Sequence, residues 1–239
     1  MSFLRRLFRP TVELPATLAS RAAAWRALPP VNDATPLAQA RLVVVDVETS
    51  GLNPRKDRLL AVGACPVEGL RLQPGAGFET LLRQTETSAR DNILIHGIGP
   101  QEQAGGVSPE DALMGFLEFA RKDILVAFHA PFDQAVLDRA ARETLGLRLL
   151  NPFLDLADLA PALVPEARLG HAGLDDWLAY FGLRVAQRHR AAHDAVAAGE
   201  LLLILLSRAR ARGLTRVSAL RALAERQAHT APGGGAAGA

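Results

Sequence analysis

The stretch that most constrains this chain is Leu42-Val43-Val44-Val45, four apolar residues of which three are β-branched, followed at once by Asp46-Val47-Glu48. A run this short and apolar is expected to be a strand buried on both faces. Side chains two apart on a strand share a face, so Asp46 and Glu48 should project together from its C-terminal end. Two carboxylates held that close repel unless a cation lies between them, and the natural candidate is a divalent ion that prefers oxygen ligands. Taken alone, the Asp-x-Glu pair also fits a solvated strand end running into a turn at Gly51 and Asn53-Pro54.

The whole chain sets limits on both readings. Its 239 residues suit one domain with terminal extensions, and 49% apolar content with only 5% aromatics implies a core of Leu, Val and Ala. A pI near 9.2, carried by Arg far more than by Lys, leans towards a polyanionic partner. Cys65, in LLAVGACP, is expected as a small buried hydrophobe; as the single cysteine it allows no intrachain disulfide, which suits a reducing cytoplasm. Arg5, Arg6 and Arg9 open the chain without the long apolar stretch of a signal peptide, and Leu201–Leu206 is too short to span a bilayer. A soluble cytoplasmic protein with no membrane partner is therefore expected.

Residues 1–39 read as an N-terminal extension, with a helix from about Val12 to Leu28 broken by Pro29-Pro30. Leu59–Pro66 and Phe78–Leu82 are expected as antiparallel strands leading away from the first. Ser108-Pro109-Glu110-Asp111 has a capping hydroxyl, a proline at the first helical position and acids in the first turn, and predicts a helix to about Arg121. Then follow a strand at Ile124–Phe128, a helix at Pro131–Leu145 closed by Gly146, a short strand at Phe153–Leu156, and helices at Leu174–Phe181 and Ala191–Arg212. Strands first, then strands alternating with helices, imply a layered α/β domain over residues 40–212. Residues 213–239 add a helix at about Arg216–Gln227 and a Gly/Ala tail expected to be disordered.

Two more acids belong with the first pair. Asp133, in FHAPFD, opens a helix just past a buried strand, where an acid serves either the helix dipole or a metal. Asp194, in HRAAHDAVAAGE, lies on a helix whose Ala195, Ala197 and Ala198 are small enough to let its backbone approach a sheet closely. The ordered set Asp46-Val-Glu48-Thr-Ser-Gly-Leu, His96-Gly-Ile, His-Ala-Pro-Phe-Asp133 and His189-x-Ala-x-x-Asp194-Ala resembles the DEDDh 3′-to-5′ exonucleases. Within them it is most similar to the DnaQ-like group, which includes the proofreading ε subunit of DNA polymerase III.

That resemblance implies an RNase H-like fold, a five-stranded mixed sheet flanked by helices. It also implies four acids, Asp46, Glu48, Asp133 and Asp194, holding two Mg²⁺ or Mn²⁺ ions, with His189 as the general base. His193 is a rival base by position alone, and the family pattern selects His189. By the same resemblance Thr49, Gly51 and Leu52 touch the terminal nucleotide, Phe132 packs beside its sugar, and His96 joins the substrate-binding set. Where the family usually reads His-Asn-Ala, this chain has Phe128-His129-Ala130, so an imidazole replaces an amide and is assigned a structural role. Arg55, Lys56, Arg58, Arg188 and Arg190 are either phosphate contacts or a solvated face. The implied activity is hydrolysis of a single-stranded or frayed 3′ end to nucleoside 5′-monophosphates, with DNA preferred. The alternatives are a ribonuclease of the same family and a non-catalytic binding module, with the terminal extensions available to a polymerase subunit.

Overall fold

The computed structural model describes residues 12–170, 172–185 and 188–230. Strand β1 (Arg41–Thr49) runs through the middle of one mixed sheet. Antiparallel β2 (Leu59–Glu68) flanks it on one side, and parallel β5 (Ile124–Ala127) then parallel β6 (Phe153–Asp155) on the other. The outer rank beside β2 is made of two pieces, β3 (Arg71–Leu72) and β4 (Phe78–Leu81). A 3₁₀ turn at Pro74–Ala76 separates them, and its proline has no N–H to offer a ladder. Six strand segments therefore fill five ranks, the expected five-stranded mixed sheet.

Side chains of β1 face alternate layers, both buried, and divide the core in two. Leu42 and Val44 face one layer, which holds α6 (Leu156–Leu163), α7 (Leu174–Tyr180), α8 (Ala191–Ala211) and α9 (Val217–Thr230). Val43, Val45 and Val47 face the other layer, built by α1 (Ala16–Ala27), α4 (Pro109–Ala120) and α5 (Ala130–Leu145). Asp46 and Glu48 continue the even-numbered face, so the backbone period aims both at the α8 side.

Helix α1 docks on α4 through buried Leu18, Ala22 and Trp25. Its Arg21 also forks onto Glu118 through Nε and Nη2, both at 2.8 Å, and reaches Asp111 through Nη1 at 3.1 Å; at this exposure such pairs contribute under about 1 kcal/mol each, so apolar burial does most of the docking. The helix begins at Ala16 and not at Val12, because Pro15 forces Leu14 out of helical geometry. The segment before β1 pairs with the segment before α9: Leu37 N–H donates to the Thr215 carbonyl (2.8 Å) and Ser218 N–H to that of Asp33 (2.9 Å).

Three helices had no sequence signal: α2 (Arg90–His96), α3 (Pro100–Gly105) and α6. The first two run for only seven and six residues and are set among Gly97, Gly99 and Pro100, too short to show a period. Helix α6 carries Pro161 inside it, which reads as a break; the Asp155 side chain caps its start instead. Cys65 is buried, as expected. Among the described residues no helix is long and apolar enough to cross a membrane. Arg5, Arg6, Arg9 and the Gly/Ala tail from residue 231 lie outside the described residues.

Candidate metal centre and its cavity

Parallel β1, β5 and β6 all end on the same edge of the sheet, and the chain builds a cavity of about 590 Å³ there. Asp46 and Glu48 come from the end of β1, and Asp133 from the first turn of α5, just past β5. Asp194 comes from the first turn of α8. Its approach depends on one glycine. Gly63 of β2 is paired with Asp46, and a Cβ there would overlap the carbonyl carbon of Ala191 and the amide nitrogen of Ala192. Buried Ala195, Ala197 and Ala198 continue the close seating of α8 on the sheet, as their size led us to expect.

Carboxylate oxygens of Asp46, Glu48 and Asp194 lie within 4.8 Å of one another, while Asp133 lines the same cavity outside that trio. The electrostatic cost shows in the titration of the acids. Burial raises Asp46 well above the ordinary carboxylate range, and the charges of Asp133, Glu48 and Asp194 add to it. Burial, then the Asp194 charge, pushes Glu48 up to about 7, against the opposing pull of Arg188 and Arg190. Asp133 is raised by burial, while backbone N–H groups at Asp133 and Val47 oppose the shift. A cluster of hard oxygen donors that resists ionisation unless a cation is present fits a divalent metal ion. The chain already places one cation there: the Arg188 guanidinium bonds Asp194 Oδ1 and, at 2.6 Å, Asp175 Oδ1.

His189 lines this cavity, exposed, with φ of 61°, and its backbone N–H donates to Asp194 Oδ2 at 2.9 Å. The left-handed backbone, costly for a residue with a Cβ, is held by that bond from the acid five residues on. His193 is exposed on α8 and does not line the cavity. His129 does line it; its φ is 63°, and its N–H donates to Asp155 Oδ1, which also accepts from Ala157 N–H (both 2.9 Å). Asp155 thus ties the turn that delivers Asp133. Sequence reasoning passed over it, although an acid directly after the apolar Phe153-Leu154 repeats the pattern of Asp46.

Thr49, Gly51, Leu52, His96 and Phe132 line the same cavity. Thr49 Oγ1 donates to the Gly51 carbonyl (2.6 Å), fixing the turn on which Leu52 stands 90% exposed at the mouth. Phe132 is half-buried and packs against the α4–α5 layer as well. His96 is buried with both ring nitrogens engaged: Nδ1 accepts from Ile98 N–H at 3.0 Å, so Nε2 carries the proton and points to Ser88 Oγ at 3.4 Å. It therefore offers the cavity a ring face and no free nitrogen. Asn92 and Ile95, both on the unexpected helix α2, complete this wall, and the Asn92 amide donates to the Ser50 carbonyl. Of the candidate phosphate contacts, Arg188 is committed to carboxylates and Arg58 to Glu86 (2.8 Å). Arg190 lies 3.8 Å from Glu102.

Comparison with known proteins gives a consistent result. A family model described as "Exonuclease", that of RNase T, matches residues 43–202. An ε-like DNA polymerase III subunit protein of Rhodobacter capsulatus is 35% identical over 78% of this chain and 26% of its own length. A PolC-type DNA polymerase III of Thermotoga maritima is 28% identical over 84% of this chain and 14% of its own. The chain thus spans a small part of these longer relatives. Among solved structures, exonuclease X in complex with 5′-overhanging duplex DNA superimposes with a TM-score of 0.60, at 19% identity, over 77% of this chain and 99% of that one. Zinc-bound E. coli exonuclease I with single-stranded DNA gives 0.62, at 20% identity, over 74% and 42%.

Proposed function

The chain belongs to the DEDD exonuclease family, whose RNase T model it matches over residues 43–202, and from that membership we propose a metal-dependent 3′-to-5′ exonuclease acting on single-stranded or frayed DNA ends. The observation that carries the proposal is the convergence of Asp46, Glu48, Asp133, Asp194 and His189 on one cavity. Residues 40–212 are the catalytic unit in this reading, and residues 1–39 and 213–239 are accessory segments open to a polymerase subunit. Support for DNA comes from the ε-like relative and from the DNA-bound structures of exonucleases I and X.

The four acids would hold two divalent ions, Mg²⁺ or Mn²⁺, which when bound supply charge for the attacking and leaving oxygens of an in-line displacement at phosphorus. His189 takes the proton of the attacking water; its exposed imidazole can pass that proton on to solvent, a step that contributes roughly 10² to 10⁴ in rate. Exposed Leu52 lies against the terminal base, the Thr49–Gly51 turn meets the nucleotide's backbone edge, and Phe132 packs beside the sugar. Arg188 must release Asp194 as metal enters, and Asp175 gives its guanidinium a place to remain.

The decisive experiment is digestion of matched single-stranded DNA and RNA, labelled at either end, with and without Mg²⁺. Stepwise loss from the 3′ end of DNA, only with metal, is the expected result. Faster digestion of RNA would reassign the substrate, and nicking of a closed single-stranded circle would overturn the exonuclease reading altogether.

A further inference from the structure

A second cavity, of about 420 Å³, lies at the opposite edge of the sheet. Lys122 and Leu150 bring it to the N-terminal ends of β5 and β6, whereas the acids cluster past their C-terminal ends. The segment after α1 and the start of α9 close over it, and both lie outside the stretch that matches the exonuclease family. It is therefore structurally separate from the catalytic cavity.

Its polar groups are incompletely matched. Six buried side-chain nitrogen or oxygen atoms have no hydrogen-bond partner among the described residues. Three of them, Asp33 Oδ1, Lys122 Nζ and Arg221 Nε, belong to residues lining this one cavity. A fourth, Asn151 Oδ1, belongs to the residue between its lining neighbours Leu150 and Pro152. A buried polar group left unpaired is costly, so their gathering around one hollow calls for something that pairs them. Lys122 is only 8% exposed; its Nζ lies over the Trp25 ring, 2.8 Å from the centroid, a contact that attracts the charge and uses none of its donors. Burial, reinforced by the Arg26 charge, lowers this ammonium to about 8, as befits a cation short of an anion.

The lining specifies a chemistry. Arg26, Lys122 and Arg221 face a single carboxylate, Asp33, which already holds Arg221 through its other oxygen at 2.6 Å. The excess is positive. Leu28, Val31 and Leu150, the last 66% exposed, form an apolar side, and the volume falls in the range of small-molecule sites. We propose that this cavity binds a compact organic anion. Its phosphate or carboxylate sits between Lys122 and Arg26, a hydrogen-bond donor on its body meets Asp33 Oδ1, and its apolar part lies on Leu150. Such a ligand would fasten both terminal segments to the sheet.

The test is calorimetric titration and thermal melting of the full chain in EDTA, which keeps metal-bridged phosphate out of the acid cavity. Three probes are used: inorganic phosphate, adenosine 5′-monophosphate and 2-hydroxy-4-methylpentanoate, an anion with a carboxylate, a hydroxyl donor and an apolar branch. One-to-one binding of at least one organic anion is expected, with the melting temperature raised by about 2 °C or more at saturation. Phosphate alone should bind at least about tenfold more weakly, and the adenylate and hydroxy-acid arms separate a phosphate ligand from a carboxylate one. Leu150→Glu and Arg26→Ala alter exposed side chains, so they should fold and should each weaken binding about tenfold or more, while Asp194→Ala should not. Absence of saturable binding by either organic anion below about 1 mM, phosphate binding as tightly as the organic anions, binding that survives both cavity variants, or loss of binding in Asp194→Ala would each overturn the proposal.

Discussion

The two edges of the sheet each carry a charged cavity, and they are built in opposite ways. At the C-terminal edge four carboxylates crowd together, supplied by short motifs that each sit at the end of a strand or the start of a helix. At the N-terminal edge the excess is cationic, and its residues come from segments as far apart as Arg26 and Arg221. The first arrangement resists ionisation until a cation is supplied; the second leaves donors without acceptors. Local motifs can be read along a chain, whereas a cavity closed by tertiary pairing of two termini has no local signature.

The largest expected effect tests the acidic side. Asp46→Ala, Glu48→Ala, Asp133→Ala and Asp194→Ala should each leave under about a tenth of the activity at saturating Mg²⁺, without lowering the melting temperature of the metal-free protein. A variant that melts several degrees lower would mean that its acid holds the fold, and the contrast between the edges would fail there.

Next comes the histidine pair. His189→Ala should lower kcat by roughly 10² or more with KM little changed, and should flatten the acid limb of the pH–rate profile; His193→Ala should leave that limb in place. A limb that vanishes with His193→Ala or His129→Ala would reassign the base.

A smaller effect reports on how the acid edge is seated. Gly63→Val must push α8 from β2, so overpacking should cost about 1–3 kcal/mol in a denaturant melt and reduce activity together with it. Full activity in this variant would show that Asp194 does not depend on the close approach.

The mildest test is the pH dependence of stability without metal. Glu48 titrates near 7 when folded but at about 4.3 when unfolded, so between those values the folded state binds more protons. Stability from this group is therefore greatest below the unfolded value and falls as pH rises through 7, and the raised Asp46 and Asp133 act in the same direction. Melting temperature in EDTA should decline from pH 5 to pH 8, and Mg²⁺ should restore it. A flat profile would mean that the carboxylates are already neutralised by Arg188 and its neighbours.

Legibility followed the same division as the two cavities. The apolar run before Asp46, the cap at Ser108 and the alanines beside Asp194 each state their environment within a few residues, and the structure brings Asp46 and Asp194 to one cavity. Helices α2 and α6 were missed because one is two turns long and the other contains a proline. With α2 went Asn92 and Ile95, a whole wall of the cavity. His96 was legible as a motif residue but not as one with both nitrogens engaged, since its partners Ser88 and Ile98 are fixed only by the fold around Gly97.

The interrupted outer rank of the sheet has a consequence for the protein in a crowded solution. On one side the free edge is a two-residue piece and a four-residue piece parted by Pro74; on the other, β6 is three residues long and runs straight into α6. An unpaired edge recruits other chains in proportion to the straight run of backbone it presents. Among the described residues neither edge presents more than four residues in line, so this sheet offers an approaching strand little to pair with and closes off its own growth.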